Sequence, residues 1–405
     1  MYEIRSKYFP ALDAHGIVYL DNAATTQEPE YGATFYPHEF PRLRGNPHRG
    51  LYVLSEEASE IVSASRRVMQ SFIHAEHPEE IIFTGGTTDS LNMLAHMMKS
   101  HIHEGDEIIV SIDNHHSNML PWMELARQTG AKIVKLIPED DGTIFPKNLS
   151  AAMSAHTKIV AIPHIGNVYG NINNIQGIAD IVHAVNAWLV VDAAQSVMHR
   201  AVDVKKMNCD FLAFSGHKMC GPTGVGVLYG KKEILRTMYP DRQGGGMVEY
   251  ADMDTGDVQF LGLPERYEAG SLNTAGIEGI AGAAEFLKKV VGIGITWAED
   301  VALTACLMNG LRRIPHVNII GGQENNQHYG LVSFTVDGVH PHDVAAILGE
   351  YGICVRAGQM CAQPLMKHLG IHSCVRASVA FYNTPDDIRK LCEVLESVRG
   401  KMGVR

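Results

Sequence analysis

From about residue 80 to residue 229 the chain repeats one pattern, in which a short apolar run is closed by Gly, Asp or Pro. The runs span 80–83, 107–112, 132–137, 158–162, 188–191, 211–214 and 225–229. Several are separated by stretches of helical length, at 90–98, 121–128 and 177–187. Uninterrupted apolar runs suit strands buried on both faces, and strands alternating with helices imply a mostly parallel, doubly wound α/β sheet. Such a sheet collects its ligands at the strand ends.

After Gly270 the pattern changes. A helical run over 274–291 leads into a mixed region with strands near 331–336 and 375–381, as expected of a smaller α+β domain. The last helix is signalled by Thr384 as N-cap, Pro385 at its first position and Asp387 three residues after the cap, with Ile388, Leu391, Val394 and Leu395 along one face.

Composition narrows the chemistry. With 34 Lys+Arg against 45 Asp+Glu the net charge is −11, and no basic cluster offers the footprint that nucleic acid or an anionic membrane requires. Seven cysteines, an odd number without a C-x-x-C pair, read as reduced thiols rather than a disulfide framework or zinc site. No apolar leader precedes Gly16 and no apolar run is long enough to span a bilayer, so a cytoplasmic enzyme acting on a small molecule is expected.

Three strand ends carry candidate chemistry. Ser215-Gly216-His217-Lys218 follows the 211–214 run, which delivers Lys218 into a cleft where a partly desolvated amine can form a Schiff base with an aldehyde such as pyridoxal phosphate. Asp192 ends the 188–191 run. Two readings stand for it: the partner of a protonated pyridine nitrogen, or the cap of a helix beginning at Ala193. Thr84-Gly85-Gly86-Thr87-Thr88 follows the 80–83 run and precedes a helix starting near Ser90, a setting for a phosphate. His115 and His116 follow the 107–112 run, where a flat imidazole can stack on a cofactor ring and transfer a proton.

Tyr19-Leu20-Asp21-Asn22-Ala23-Ala24, Asn46-Pro47-His48-Arg49-Gly50, the Gly-Thr-Thr turn, Val191-Asp192-Ala193-Ala194-Gln195 and Ser215-Gly216-His217-Lys218 stand in the order of the class V aminotransferase superfamily. The chain thus resembles fold type I pyridoxal phosphate enzymes. Arg356-Ala357-Gly358, Cys361-Ala362-Gln363-Pro364-Leu365-Met366, Arg376-Ala377-Ser378 and Tyr382-Asn383-Thr384 resemble group II, Suf-type, cysteine desulfurases. The resemblance implies a large cofactor-binding domain over 17–285 and a small C-terminal domain over 286–405, with 1–16 packed on the latter.

By that resemblance Lys218 holds the cofactor, Asp192 pairs with the pyridine nitrogen, Gln195 bonds the phenolic oxygen and His115 stacks on the ring. Thr87, Thr88, Ser215 and His217 hold the phosphate, and Ser271 completes that site across a homodimer interface. Asn167 and Arg376 bind the substrate carboxylate, for which a guanidinium is suited by its two parallel donors.

A bound L-cysteine, deprotonated at Cα by the freed Lys218, opens its Sγ to a thiolate. Cys361 is the expected nucleophile, with alanine and a Cys361 persulfide as products, and Arg356 is a candidate to raise the thiolate fraction. The sulfur then passes to a Suf-type acceptor protein, for iron-sulfur cluster assembly. Departures from the family pattern are Gln359 and Met360 in place of two histidines, Gly166 for a serine, Ser271 for a threonine and Asn114 for an acidic residue. Two other readings stay open: a selenocysteine lyase or other class V aminotransferase-type enzyme, and a pyridoxal-phosphate-binding scaffold without turnover.

Overall fold

Each of the apolar runs becomes a strand of one sheet. The computed structural model describes residues 2–30, 45–47 and 50–404; His48 and Arg49 of the Asn46 to Gly50 motif lie outside the described residues. From edge to edge the seven strands are Ile81–Thr84, Gly226–Gly230, Phe211–Ser215, Trp188–Asp192, Thr157–Pro163, Glu107–Ser111 and Lys132–Leu136. All neighbours are parallel except Gly226–Gly230, which runs antiparallel to both strands beside it.

Period-two alternation divides these strands between two cores. Leu212 and Phe214 face one cluster with Val191, Ile162 and Phe286, whereas Phe211 and Ala213 face the other with Val190, Ala161 and Trp122. Both faces are therefore dry, which is why the runs read as continuous rather than alternating.

Gly226 shows how closely the backbone packs beside the Thr84 to Thr88 turn. A Cβ there would lie 2.5 Å from Gly86 Cα and 2.6 Å from the Phe214 carbonyl oxygen. Only glycine lets the turn settle against the antiparallel strand.

A second, four-stranded antiparallel sheet has the order Val317–Ile320, Leu331–Val336, Cys374–Ser378, Arg356–Gly358. Its core joins Phe334 and Val375 to Leu307, Leu311, Leu391 and Leu395 of the covering helices. The final helix spans Pro385–Lys401 and opens as its sequence signals: Thr384 Oγ1 accepts from Asp387 N, and Asp387 Oδ2 accepts from Thr384 N at 3.0 Å.

Two boundaries differ from expectation. The 274–291 run is an α-helix only over Thr274–Glu285, then widens into a π-turn over Phe286–Val291 that ends at Gly292 with φ +83°. The strand expected to reach Phe381 stops at Ser378, whose N–H is drawn to the Leu20 carbonyl at 2.7 Å.

The segment from Arg5 to Phe9 packs against residues far along the sequence. Arg5 donates to the Tyr382 carbonyl at 3.0 Å and to Asp387 at 2.8 Å, while Phe9 packs edge-on against Phe286 and Phe381. All seven cysteines are free thiols. Among the described residues no single helix is long and apolar enough to cross a membrane.

Candidate active site

Lys218 is placed by a single tight turn, Gly216–Lys218, that follows Ser215 at its strand end. The turn is pinned from outside: the His217 carbonyl accepts from Thr26 N at 2.8 Å and from Thr25 Oγ1 at 3.0 Å. Burial pushes the Lys218 amine down to about 8, with Asp192 opposing and Arg376 reinforcing the shift. A free amine is thus accessible near neutral pH.

Asp192 ends the adjoining parallel strand, in register with Ala213. Its Oδ1 accepts from Ala194 N at 2.9 Å, closing a turn; no helix follows, so of the two readings the helix cap is set aside. Burial raises its pKa, against the Ala194 N–H and the Lys218 charge. Among the described residues no cation lies within ion-pairing distance of it. A buried carboxylate with one backbone donor and no paired charge fits a cationic ring N–H. Gln195, three residues on, donates to the Ala23 carbonyl at 2.7 Å.

The Thr84 to Thr88 turn opens the helix Thr87–Met97, which starts earlier than the expected Ser90 because Gly86, with φ +138°, ends the turn. Thr87 N donates to Ser215 Oγ at 2.8 Å, and the two hydroxyls lie 2.7 Å apart. Thr87, Thr88, Gly85, Gly86, Ser215 and His217 line an open cleft of about 520 Å³. Helix-terminal N–H groups and hydroxyls around a cleft of this size suit a phosphate.

His115 is joined to Thr88 of that cleft through Ser117 and lies close enough to Lys218 to feel its charge. Its Nδ1 accepts from Ser117 N at 3.2 Å, so the neutral ring carries its proton on Nε2. Burial, then the charges of Lys218, His116 and Arg376, push it down to about 3. His217 is likewise pushed down to about 4, by burial and Lys218. Both imidazoles are neutral at physiological pH.

On the opposite side sits Arg376, on the strand Cys374–Ser378 and almost fully buried. Nη1 donates to the Asn167 carbonyl at 2.9 Å, whereas Nε is buried without a partner. An orphaned guanidinium N–H is a ready donor for a carboxylate. Asn167 donates its side-chain amide to the Met360 carbonyl at 2.8 Å. Arg356 forms an ion pair with Asp21 at the rim, a partnership that the sequence does not signal.

Cys361 is exposed, and it and Met360 hold φ values of +52° and +51°. Non-glycine residues adopt this region only where surrounding bonds enforce it. Here His116 N donates to the Cys361 carbonyl at 2.8 Å, and Ala362 N to the Gln359 carbonyl at 2.9 Å.

The structure therefore brings Thr87, Thr88, His115, Asp192, Ser215, His217, Lys218, Asn167, Arg376 and Cys361 to one region. Ser271 stands apart, exposed and outside the lining of the cleft. Its loop is fixed by the Gly270 N–H on the Gly245 carbonyl at 2.7 Å, which ties it to the Gly244 to Gly246 stretch, and by the Arg66–Glu268 pair at 2.7 Å, which ties it to the helix Val53–Phe72. Ser117, which joins Thr88 to His115, has no signature in the sequence beyond following two histidines.

Residues 18–391 match the model of the aminotransferase class-V family. The chain belongs to that family. This class-V chain is 41% identical over 402 residues to a probable cysteine desulfurase of Halalkalibacterium halodurans, covering 98% of each. It is 37% identical over 410 residues to a cysteine desulfurase of Cronobacter sakazakii, covering 99% of this chain and 98% of the other. Its structure matches the apo structure of a cysteine desulfurase from Thermococcus onnurineus with a TM-score of 0.91 and 37% identity, over 98% of both chains. The α/β architecture is that of fold type I pyridoxal phosphate enzymes, and the similarity to cysteine desulfurases extends over nearly the full length.

Proposed function

We propose that this class-V enzyme is a pyridoxal-phosphate-dependent cysteine desulfurase that converts L-cysteine to L-alanine and keeps the sulfur as a Cys361 persulfide. One observation carries the reading: an exposed thiol on a backbone clamped in the left-handed region, close enough to Lys218 and Arg376 for its charge to shift both.

The residues fit the cofactor. Lys218 would hold it, Asp192 would pair with its ring nitrogen, Gln195 would bond its phenolic oxygen, His115 would stack on its ring, and Thr87, Thr88, Ser215 and His217 would hold its phosphate. Bound there, pyridoxal phosphate supplies an electron sink for charge developing at the substrate Cα.

The chain supplies the rest. Arg376 grips the substrate carboxylate through its unpartnered Nε edge, and Asn167 fixes the loop that carries the nucleophile. Lys218, whose amine burial holds down to about 8 so that a fraction is unprotonated near neutral pH, takes the Cα proton and returns it. The Cys361 thiolate attacks the substrate Sγ: the Sγ–Sγ bond forms as the Cβ–Sγ bond breaks. The bonding pair stays on Cβ, where the proton of the substrate thiol ends, and alanine leaves. Arg356 stands beside the thiolate as a counter-charge at the rim.

We further assign a homodimer in which Ser271 of one protomer completes the phosphate site of its partner, a cytoplasmic location, and a Suf-type protein as acceptor serving iron-sulfur cluster assembly. The exposure of Ser271 and of Cys361 supports the first and the last.

The test is an alanine and sulfide assay with L-cysteine. Wild type without acceptor is expected to stall after about one turnover per site, with one sulfur on Cys361 by mass spectrometry, because the persulfide must leave before the thiolate attacks again. Cys361→Ser is expected to release little alanine. A fully active serine variant, or sulfur mapped to Cys354 or Cys374, would sink this reading in favour of the lyase or aminotransferase.

A further inference from the structure

Ser117 lies between the two halves of the site. Its side chain is buried; its Oγ is 2.7 Å from Thr88 Oγ1 and 3.0 Å from His115 Nδ1, and its own N–H reaches that nitrogen at 3.2 Å. The hydroxyl thus has two acceptors within reach and one proton to give.

We propose that Ser117 is a positioning residue that orients the Thr88 hydroxyl toward the cofactor's phosphate. A phosphate dianion accepts hydrogen bonds and donates none, so a Thr88 hydroxyl facing it must point its single proton outward. The contact to Ser117 is then made with the Ser117 proton, and Thr88 Oγ1 becomes its acceptor. Ser117 leaves His115 Nδ1 to its backbone N–H, which keeps the ring proton on Nε2. Without the anion the Ser117 hydroxyl turns to His115 instead. One side chain thereby ties the phosphate end of the site to the imidazole beside the ring.

The inference rests on the cofactor assignment above, and its test separates the two. Dissociation constants of pyridoxal phosphate and of pyridoxal are measured for the apo-forms of wild type, Ser117→Ala, Thr88→Ala and the double variant, alongside their melting temperatures. Ser117→Ala is expected to weaken pyridoxal phosphate about tenfold, the worth of one hydrogen bond to a charged group, and to leave pyridoxal unchanged. The double variant is expected to match Thr88→Ala, because Ser117 acts through Thr88. Equal weakening of both ligands, or no weakening of either, would overturn the role of Ser117. A wild type that holds pyridoxal as tightly as pyridoxal phosphate would overturn the cofactor assignment itself.

Discussion

The side-chain amide of Asn167 reaches across 193 residues of sequence to the carbonyl of Met360 at 2.8 Å, on the residue just before the exposed thiol. With Met360 and Cys361 both at positive φ, that bond resists relaxation of the loop. Asn167→Ala should reduce alanine formation by about tenfold to a hundredfold, as expected when a reacting group loses its alignment. The cofactor's absorption spectrum should stay as in wild type. An unaltered rate, measured by single-turnover alanine release, would show that the loop holds without Asn167.

Attachment of the cofactor to Lys218 should depend on pH. The amine, held down to about 8 by burial, is mostly protonated below that value, with a reactive fraction that falls as pH falls, and mostly free above it. The rate at which apo-protein captures pyridoxal phosphate should therefore rise about tenfold per pH unit below 8 and level off above it. Stopped-flow absorbance measures the profile. Lys218→Ala should show no borohydride-reducible linkage at any pH.

Arg376→Lys should raise KM for cysteine more than it lowers kcat. The lysine keeps the charge but loses the planar edge on which Nε stands unpartnered, and with it a bond to the substrate carboxylate. A loss of about tenfold or more in kcat/KM is expected, against a smaller effect for Arg356→Lys, whose guanidinium is half exposed and engaged with Asp21. Steady-state kinetics of the two variants side by side decides the order.

Asp113, two residues before His115 and beside Gly166, predicts a stability change that depends on pH. Burial pushes its carboxyl up to about 6, only partly offset by the Ser111 hydroxyl. Its Oδ2 is buried without a partner, as is Asn171 Oδ1, both beside Gly166. Because the folded pKa lies above the unfolded one, this group favours folding most below about pH 4, loses that contribution as pH rises to about 6, and changes no further above. Asp113→Asn should therefore stabilise the protein by up to roughly 3 kcal/mol at pH 7.5, an advantage absent at pH 4. Urea unfolding at the two pH values measures it, and equal gains at both would refute the ionisation argument.

Much of this was written locally. The apolar run ending at Ile112, the Gly-Thr-Thr turn and the Thr384 cap each carry their structure within a few residues, because burial, turn geometry and capping are short-range demands. The antiparallel direction of Gly226–Gly230 is not encoded that way: a fully buried run has no polar face to reveal how it lies. Lys218 and Asp192 are legible by their chemistry at strand ends, whereas Arg376 and Asn167 are legible only through the family resemblance. The partners of Arg356 and Asn167 are not legible, since Asp21 meets Arg356 and Asn167 meets Met360 only through the tertiary fold. Ser117 escaped for the same reason, its meaning lying in Thr88, 29 residues earlier.

Arg5 grips Asp387 and the Tyr382 carbonyl, and Asn22, beside the turn that pins His217, is held by the Ser378 carbonyl and by Asn383. These bonds span more than 350 residues. During synthesis these particular bonds of Arg5 and Asn22 cannot form until Ser378 to Asp387 have been made and have folded. A nascent chain halted before Arg376 carries Lys218 and the phosphate turn but neither the carboxylate-binding arginine nor the closing contacts. The segment from Arg5 to Asn22 is thus locked only after the strand that carries Arg376 and the helix that follows it are in place, so closing the substrate side of the site and fixing the turn over His217 are one event.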